Sequence, residues 1–152
     1  MIRRAHPGEA DALTDLAIRS KAHWGYGEEF MASAGSELIF HESDLERMFF
    51  LVVEREGVPV GFAALDLDAP EPLLDALFVE PEWIGSGLGG ALLAAACTVA
   101  RKRGVAALDI VSDPNAEPFY RRHGAERIGE RRSESTGRML PLLRISTAAD
   151  DA

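Results

Sequence analysis

Six consecutive residues, Gly85-Ser86-Gly87-Leu88-Gly89-Gly90, have the composition of an anion cradle. Glycines let the backbone approach a ligand and turn its N–H groups inward. The run stands directly before the helical sequence Ala91 to Arg103. A helix N-terminus offers unpaired donors and the positive end of the dipole, so a phosphate or pyrophosphate is the natural guest. Gly85-x-Gly87-x-x-Gly90 satisfies the dinucleotide fingerprint, and Asp109, 19 residues after Gly90, is spaced to meet a ribose hydroxyl. The plain alternative is a glycine-rich turn that only lets a helix pack closely on a strand.

Other chemistry-bearing residues are few. The single cysteine, Cys97, lies among alanines of the helical run and reads as a small hydrophobe; it excludes an intrachain disulfide. His6, His41 and His123 show no ligand spacing with one another or with Cys97, so no metal site is expected. Apolar content of 47% and charged content of 27% describe an ordinary globular chain, and 152 residues suffice for one domain with a sizeable core. No apolar run reaches the ~18 residues of a membrane span, and Met1 to Pro7 lacks an apolar secretory region. A cytoplasmic location, with no membrane partner, is the expectation. Residues 1–75 hold 6 Lys/Arg against 15 Asp/Glu, whereas residues 76–152 hold 10 of each. The acidic first half argues against nucleic acid as a partner and suits a cationic one, although acidity also serves solubility.

The elements that must position the glycine loop follow from hydrophobic period and turn residues. A short strand at Met1 to Arg4 precedes a helix over Glu9 to Ser20, broken at His23-Trp24-Gly25-Tyr26-Gly27. Glu28 to Ala34 reads as a second helix ended by Gly35, and Glu42 to Met48 as a further helical turn. Phe49 to Glu54 and Val60 to Asp66 form a hairpin around Glu56-Gly57-Val58-Pro59, and Leu73 to Val79 is a third consecutive strand. After the loop and its helix come a strand at Ala106 to Val111, a helix at Asn115 to Arg122, and a hairpin of Glu126 to Arg131 with Met139 to Ile145. Residues 1–145 make one α+β domain, and 146–152 read as a frayed tail.

This order does not suit a dinucleotide enzyme, whose glycine loop closes the first βα turn of two βαβαβ halves. Here the loop lies past mid-chain, after a strand hairpin, and Pro81-Glu82-Trp83-Ile84 separates it from the preceding strand. It also matches the loop Gln/Arg-x-x-Gly-x-Gly/Ala of acyl-CoA-dependent N-acetyltransferases. Downstream stands Asp113-Pro114-Asn115-Ala116-Glu117-Pro118-Phe119-Tyr120-Arg121-Arg122-His123-Gly124-Ala125. With Val79-Glu80-Pro81 and the loop, the chain resembles the GNAT family of N-acetyltransferases, which shows a Val-x-Pro strand end and Asn-Ala-x-x-Phe-Tyr-x-x-x-Gly. Ile84 replaces the first Gln/Arg of the loop pattern, and Ala125 an aromatic that commonly follows Gly124.

The resemblance implies an α/β/α sandwich of the acyl-CoA N-acyltransferase fold: a mixed, mostly antiparallel twisted sheet with helices on both faces. It implies acetyl-CoA as co-substrate, lying in a splay between the fourth and fifth strands. Backbone groups of Leu77, Phe78 and Val79 would hold the pantetheine arm, and Gly85, Ser86, Gly87, Leu88, Gly89 and Gly90 the pyrophosphate. Asn115 would bond pantetheine amides, or cap the following helix; Tyr120 would protonate the leaving thiolate, or be a core tyrosine. Asp75 lies on the strand where family members carry a base, shares a face with Leu77 and Val79 by strand alternation, and has Glu28, Glu29 and His23 as alternatives. His23, Trp24, Tyr26 and Glu28 border the acceptor pocket on this reading, either to hold a cationic amine or as an aromatic plug.

The expected activity is transfer of an acetyl group to a small-molecule or peptide amine by direct attack in a ternary complex. A non-catalytic acyl-CoA sensor and, further off, a dinucleotide-binding enzyme are the alternatives. In the family, hairpins such as Glu126 to Ile145 often form homodimer or acceptor surfaces.

Overall fold

A computed structural model describes residues 2–148, apart from the side chain of Ser36. Among these residues, seven strands form one sheet in the order β1-β2-β3-β4-β5-β7-β6. They are β1 (Ile2–Arg4), β2 (Phe49–Arg55), β3 (Val58–Asp66), β4 (Leu73–Val79), β5 (Ala107–Val111), β6 (Glu126–Arg132) and β7 (Met139–Ser146). Every adjacent pair is antiparallel except β4 with β5. The two-residue turn between β2 and β3 has Glu56 at φ 53° and Gly57 at φ 79°. Positive φ at both central residues matches the twist of the strands, and the turn is tighter than expected because Val58 and Pro59 already belong to β3.

Five α-helices among the described residues cover the two faces: α1 (Ala10–Ala22), α2 (Glu28–Ala34), α3 (Glu42–Arg47), α4 (Leu88–Lys102) and α5 (Glu117–Arg122). The apolar stripe of α1, Leu13, Leu16 and Ala17, packs with Phe40, Phe50 and Phe62 on one face. On the other, Leu92, Leu93, Ala96 and Ala100 of α4 meet Leu65, Leu108, Ile110 and Leu143. The layered architecture and the helices on both faces match the sequence expectation. Among the described residues, no helix is long and apolar enough to cross a membrane.

Two expectations change. Asp109 is buried and bonded to Arg144 directly across the β5–β7 ladder, at 2.7 and 3.2 Å, so it is a sheet residue and not a ribose ligand. The chain remains structured past residue 145: Ser146 ends β7, and Thr147 is buried with its hydroxyl on the Val105 carbonyl. The rest of the expected tail, 149–152, lies outside the described residues. The second helix ends at Ala34 with Gly35 as its C-cap, as expected, and Gly35 at φ −57° then opens a 3₁₀ turn, Gly35–Glu37.

The glycines therefore divide by backbone angle. A Cβ at either Gly35 or Gly87 would meet nothing within 4 Å, but Gly87 sits at φ 89°. Gly35→Ala should stabilise the fold by about 0.4–1 kcal/mol through the unfolded chain. Gly87→Ala should cost about 1–2 kcal/mol through left-handed strain. Urea denaturation of both variants checks the opposite signs.

Candidate active site

The central feature of the sheet is a place where it fails to close. Strands β4 and β5 share one register pair, Leu73 with Asp109, with the Asp109 N–H on the Pro72 carbonyl at 2.9 Å. Beyond it β4 runs on to Val79 without a partner on that side among the described residues. The β3–β4 register shifts between Ala64 and Leu65, which leaves Asp75 as the extra residue of a bulge. A bulge bends and twists its strand, and this one lies two residues past the last β4–β5 contact. The result is a cleft of about 1040 Å³ bounded by β4, the glycine loop, the start of α5 and the β6–β7 hairpin.

Register decides which backbone groups face the gap. Glu80 donates to Val60 at 2.8 Å, and Gly61 lies opposite Val79. Antiparallel alternation then turns the peptide groups of Phe78 and Ala76 toward β3, and those of Leu77 and Val79 toward the opening. The sequence reading grouped Leu77, Phe78 and Val79; the ladder separates them. Leu77 and Val79 offer free backbone groups, while Phe78 lines the cleft with its side chain.

The gap leads to the N-terminus of α4. Gly85 and Gly87 adopt φ 84° and 89°, which only glycine takes without strain. Among the described residues, no acceptor meets the N–H groups of Gly85, Gly87, Gly89 or Gly90. The same four glycines line the cleft. Ser86 and Leu88 do other work: the Ser86 hydroxyl donates to the Trp83 carbonyl and accepts the Leu88 N–H at 3.3 Å, and the Leu88 side chain enters the core. The close-packing explanation is also true of part of the loop. A Cβ at Gly90 would stand 2.8 Å from the His123 ring, and one at Gly89 3.3 Å from Phe119. Ile84 is 43% exposed at the cleft edge, so the side-chain position usually filled by Gln or Arg contributes apolar surface here.

Tyr120 rises from α5 into the cleft wall, and its hydroxyl has no partner among the described residues. Burial, helped by the Asp113 charge, pushes its pKa well above that of an ordinary tyrosine. The group is thus a hydrogen-bond donor at every physiological pH. Asp75 also lines the cleft and makes no ion pair or hydrogen bond within the described chain. Partial desolvation by the cleft wall raises its pKa, although the residue as a whole is exposed; Arg47 opposes the shift, and Asp66 and Asp44 reinforce it. Because of the bulge, Asp75 does not share the alternating face predicted with Leu77 and Val79.

The loop after α1 departs furthest from expectation. Trp24 lines the cleft and is 44% exposed, with His23 edge-on to it at 5.6 Å. His23, Tyr26 and Glu28 are not among the cleft residues. Tyr26 is instead stacked on Phe30 at 4.2 Å, with the Arg138 guanidinium 5.2 Å from its ring, so its face is already occupied. Its hydroxyl donates to Asp113 at 2.8 Å. Asp113 also accepts from Lys21 at 2.6 Å, from the Asn115 backbone N–H at 2.8 Å and from Asn115 Nδ2 at 3.0 Å. Burial alone would raise the Asp113 carboxyl, but Lys21 and the Asn115 N–H outweigh it and hold it below the usual carboxylate range. Asn115 does not cap α5; that helix begins at Glu117 behind Ala116, without a side-chain cap. The sequence does not reveal the partnership of Asp113 with Lys21 and Arg138, because 92 and 25 residues of chain separate these two from it.

The family model for the acetyltransferase (GNAT) domain matches residues 9–142. An aminoglycoside N(6')-acetyltransferase type 1 from Stenotrophomonas maltophilia is 31% identical over 137 residues, covering 82% of this chain and 85% of its own. A GCN5-related N-acetyltransferase from Rhodopseudomonas palustris superposes with a TM-score of 0.81 at 24% identity, over 96% of this chain and 94% of its own. The PaiA N-acetyltransferase from Thermoplasma acidophilum, solved in complex with coenzyme A, gives 0.79 at 20% identity over 96% and 98%.

The raised pKa of Asp75 has a consequence for stability. A carboxyl that binds its proton more tightly in the folded state loses stability as pH rises between its unfolded and folded pKa values. Asp75→Asn should therefore melt at a higher temperature than the parent at pH 7, and the difference should shrink below about pH 4, where both states are protonated. Melting curves at the two pH values check it.

Proposed function

The chain belongs to the GNAT family of acetyltransferases, and from that premise we propose that it transfers the acetyl group of acetyl-CoA to a small cationic amine. The observation that carries the reading is the unpaired edge of β4, with Leu77 and Val79 open, leading into four free glycine N–H groups. A strand edge suits the amides of an extended pantetheine arm, and a helix N-terminus suits a pyrophosphate. An N–H on that edge also serves as a fixed donor to the thioester carbonyl oxygen, where charge develops during attack.

The amine lone pair forms a C–N bond to the acetyl carbon, the C–S bond breaks, and the electron pair leaves on sulfur, which takes up the proton the nitrogen sheds as it becomes an amide. Tyr120 donates a hydrogen bond to that sulfur. Its pKa lies above the ~8.5 of a thiol, so it stabilises the thiolate without surrendering its proton completely. Asp75 accepts the proton an ammonium acceptor must lose, and its carboxylate lines the same cleft as the Trp24 ring, a pairing of negative charge and aromatic face that favours a cationic acceptor. No activated nucleophile stands in the cleft among the described residues, which supports direct attack over an acyl-enzyme. The similarity to an aminoglycoside acetyltransferase supports an amine acceptor with several amino groups.

Acetyl-CoA at about 100 times its Kd should add ~2.7 kcal/mol of stability, a melting shift of roughly 5–10 °C, whereas NAD should add none. A shift with NAD alone overturns the reading. Tyr120→Phe should lower kcat by about tenfold or more and leave acetyl-CoA affinity nearly unchanged, checked by thiol release and titration. Binding without thiol release across a broad amine panel would instead identify a sensor.

A further inference from the structure

Four separate stretches of chain converge on the Asp113 carboxylate. Lys21 comes from the end of α1, Tyr26 from the loop before α2, Asn115 from the turn before α5, and Arg138 from the β6–β7 hairpin. The Arg138 guanidinium reaches the Tyr26 hydroxyl at 3.2 Å and lies over the Phe30 ring at 4.6 Å. The Tyr26 hydroxyl gives its single proton to Asp113 and accepts from Arg138 and from Asn115 Nδ2, at 3.2 and 3.0 Å.

This arrangement fixes which way Asn115 points. An ionised carboxylate only accepts hydrogen bonds, so the amide nitrogen must face Asp113. Nδ2 has two protons, and both are engaged, one by Asp113 and one by Tyr26, each at 3.0 Å. Oδ1 is left without a donor among the described residues, on a side chain that lines the cleft. Asn115 thus presents an acceptor and no donor.

We propose that Asp113 is a positioning residue for cofactor binding: it holds Asn115 with Oδ1 turned out as an acceptor for an amide N–H of the pantetheine arm. Through Lys21, Tyr26 and Arg138 it locks that orientation to the α1–α2 loop and the β6–β7 hairpin, which wall the acceptor end. This rests on the acetyl-CoA reading above. It excludes the aromatic loop residue Tyr26 from the acceptor pocket and makes it part of the donor-side scaffold.

A double-mutant cycle on acetyl-CoA affinity tests it, since coupled residues give non-additive losses. Asn115→Ala should weaken binding by about tenfold or less, the worth of one hydrogen bond, with Asp113→Ala similar and Tyr26→Phe about threefold. In the Asn115→Ala background, both further substitutions should change the Kd by less than about twofold. Tyr26→Phe keeps the ring on Phe30 and removes only the hydroxyl, so it answers the question even where Asp113→Ala unfolds. The proposal is overturned if the losses add in full, or if Asn115→Ala binds acetyl-CoA like the parent. A parent that binds no acetyl-CoA would overturn the functional reading itself, a separate result.

Discussion

Strands β4 and β5 hold each other at one register pair, Leu73 with Asp109, and then part. Everything distinctive about the molecule depends on that parting. Elsewhere the sheet is an ordinary antiparallel ladder with two packed faces, and its backbone groups are consumed in pairing. At the gap, a strand keeps its peptide groups of Leu77 and Val79 in reserve. Unpaired groups on a strand edge are costly when buried dry, so they must be solvated or met by a ligand. The bulge at Asp75 is the local cause, and it also carries a carboxylate into the cleft.

An opening of this kind would weaken a small domain unless its walls were tied together by other means. On the donor side, α4 and α5 meet through Gly89 and Gly90 against Phe119 and His123, a contact too close for any side chain larger than hydrogen without displacement. Across the mouth, the Asp113 cluster joins α1, the loop after it, the turn before α5 and the last hairpin. Glu37 adds a second tie, accepting from the Ser133 hydroxyl at 3.0 Å and the Ser135 N–H at 3.3 Å. The Lys21, Tyr26 and Ser133 links are partly buried, so solvent screens them less than a surface ion pair.

Much of this was legible in the sequence. Apolar periodicity located α1 and α4, the Glu56-Gly57-Val58-Pro59 segment located the hairpin, and the glycine loop with Asn115 to Tyr120 pointed to the family. Those signals are local: each lies within one element or one turn. What the sequence did not disclose needs contacts distant along the chain. The bulge at Asp75 arises from register with β3, so strand alternation misassigned its face. Tyr26 looked like an acceptor-site aromatic because its neighbours in sequence are aromatic and acidic, whereas its partners in space are Phe30, Asp113 and Arg138. Asp109 had the spacing of a ribose ligand, but Arg144 lies opposite it on β7.

The central claim is that the open edge of β4 receives the pantetheine arm of acetyl-CoA. Residue-resolved amide hydrogen exchange of β4, with and without acetyl-CoA, tests it most directly. In the free protein Phe78, already in the β3 ladder, should exchange more slowly than Leu77 and Val79. On binding, Leu77 or Val79 should become protected while Phe78 changes little. Acetyl-CoA bound at saturation with neither Leu77 nor Val79 slowed would contradict the account.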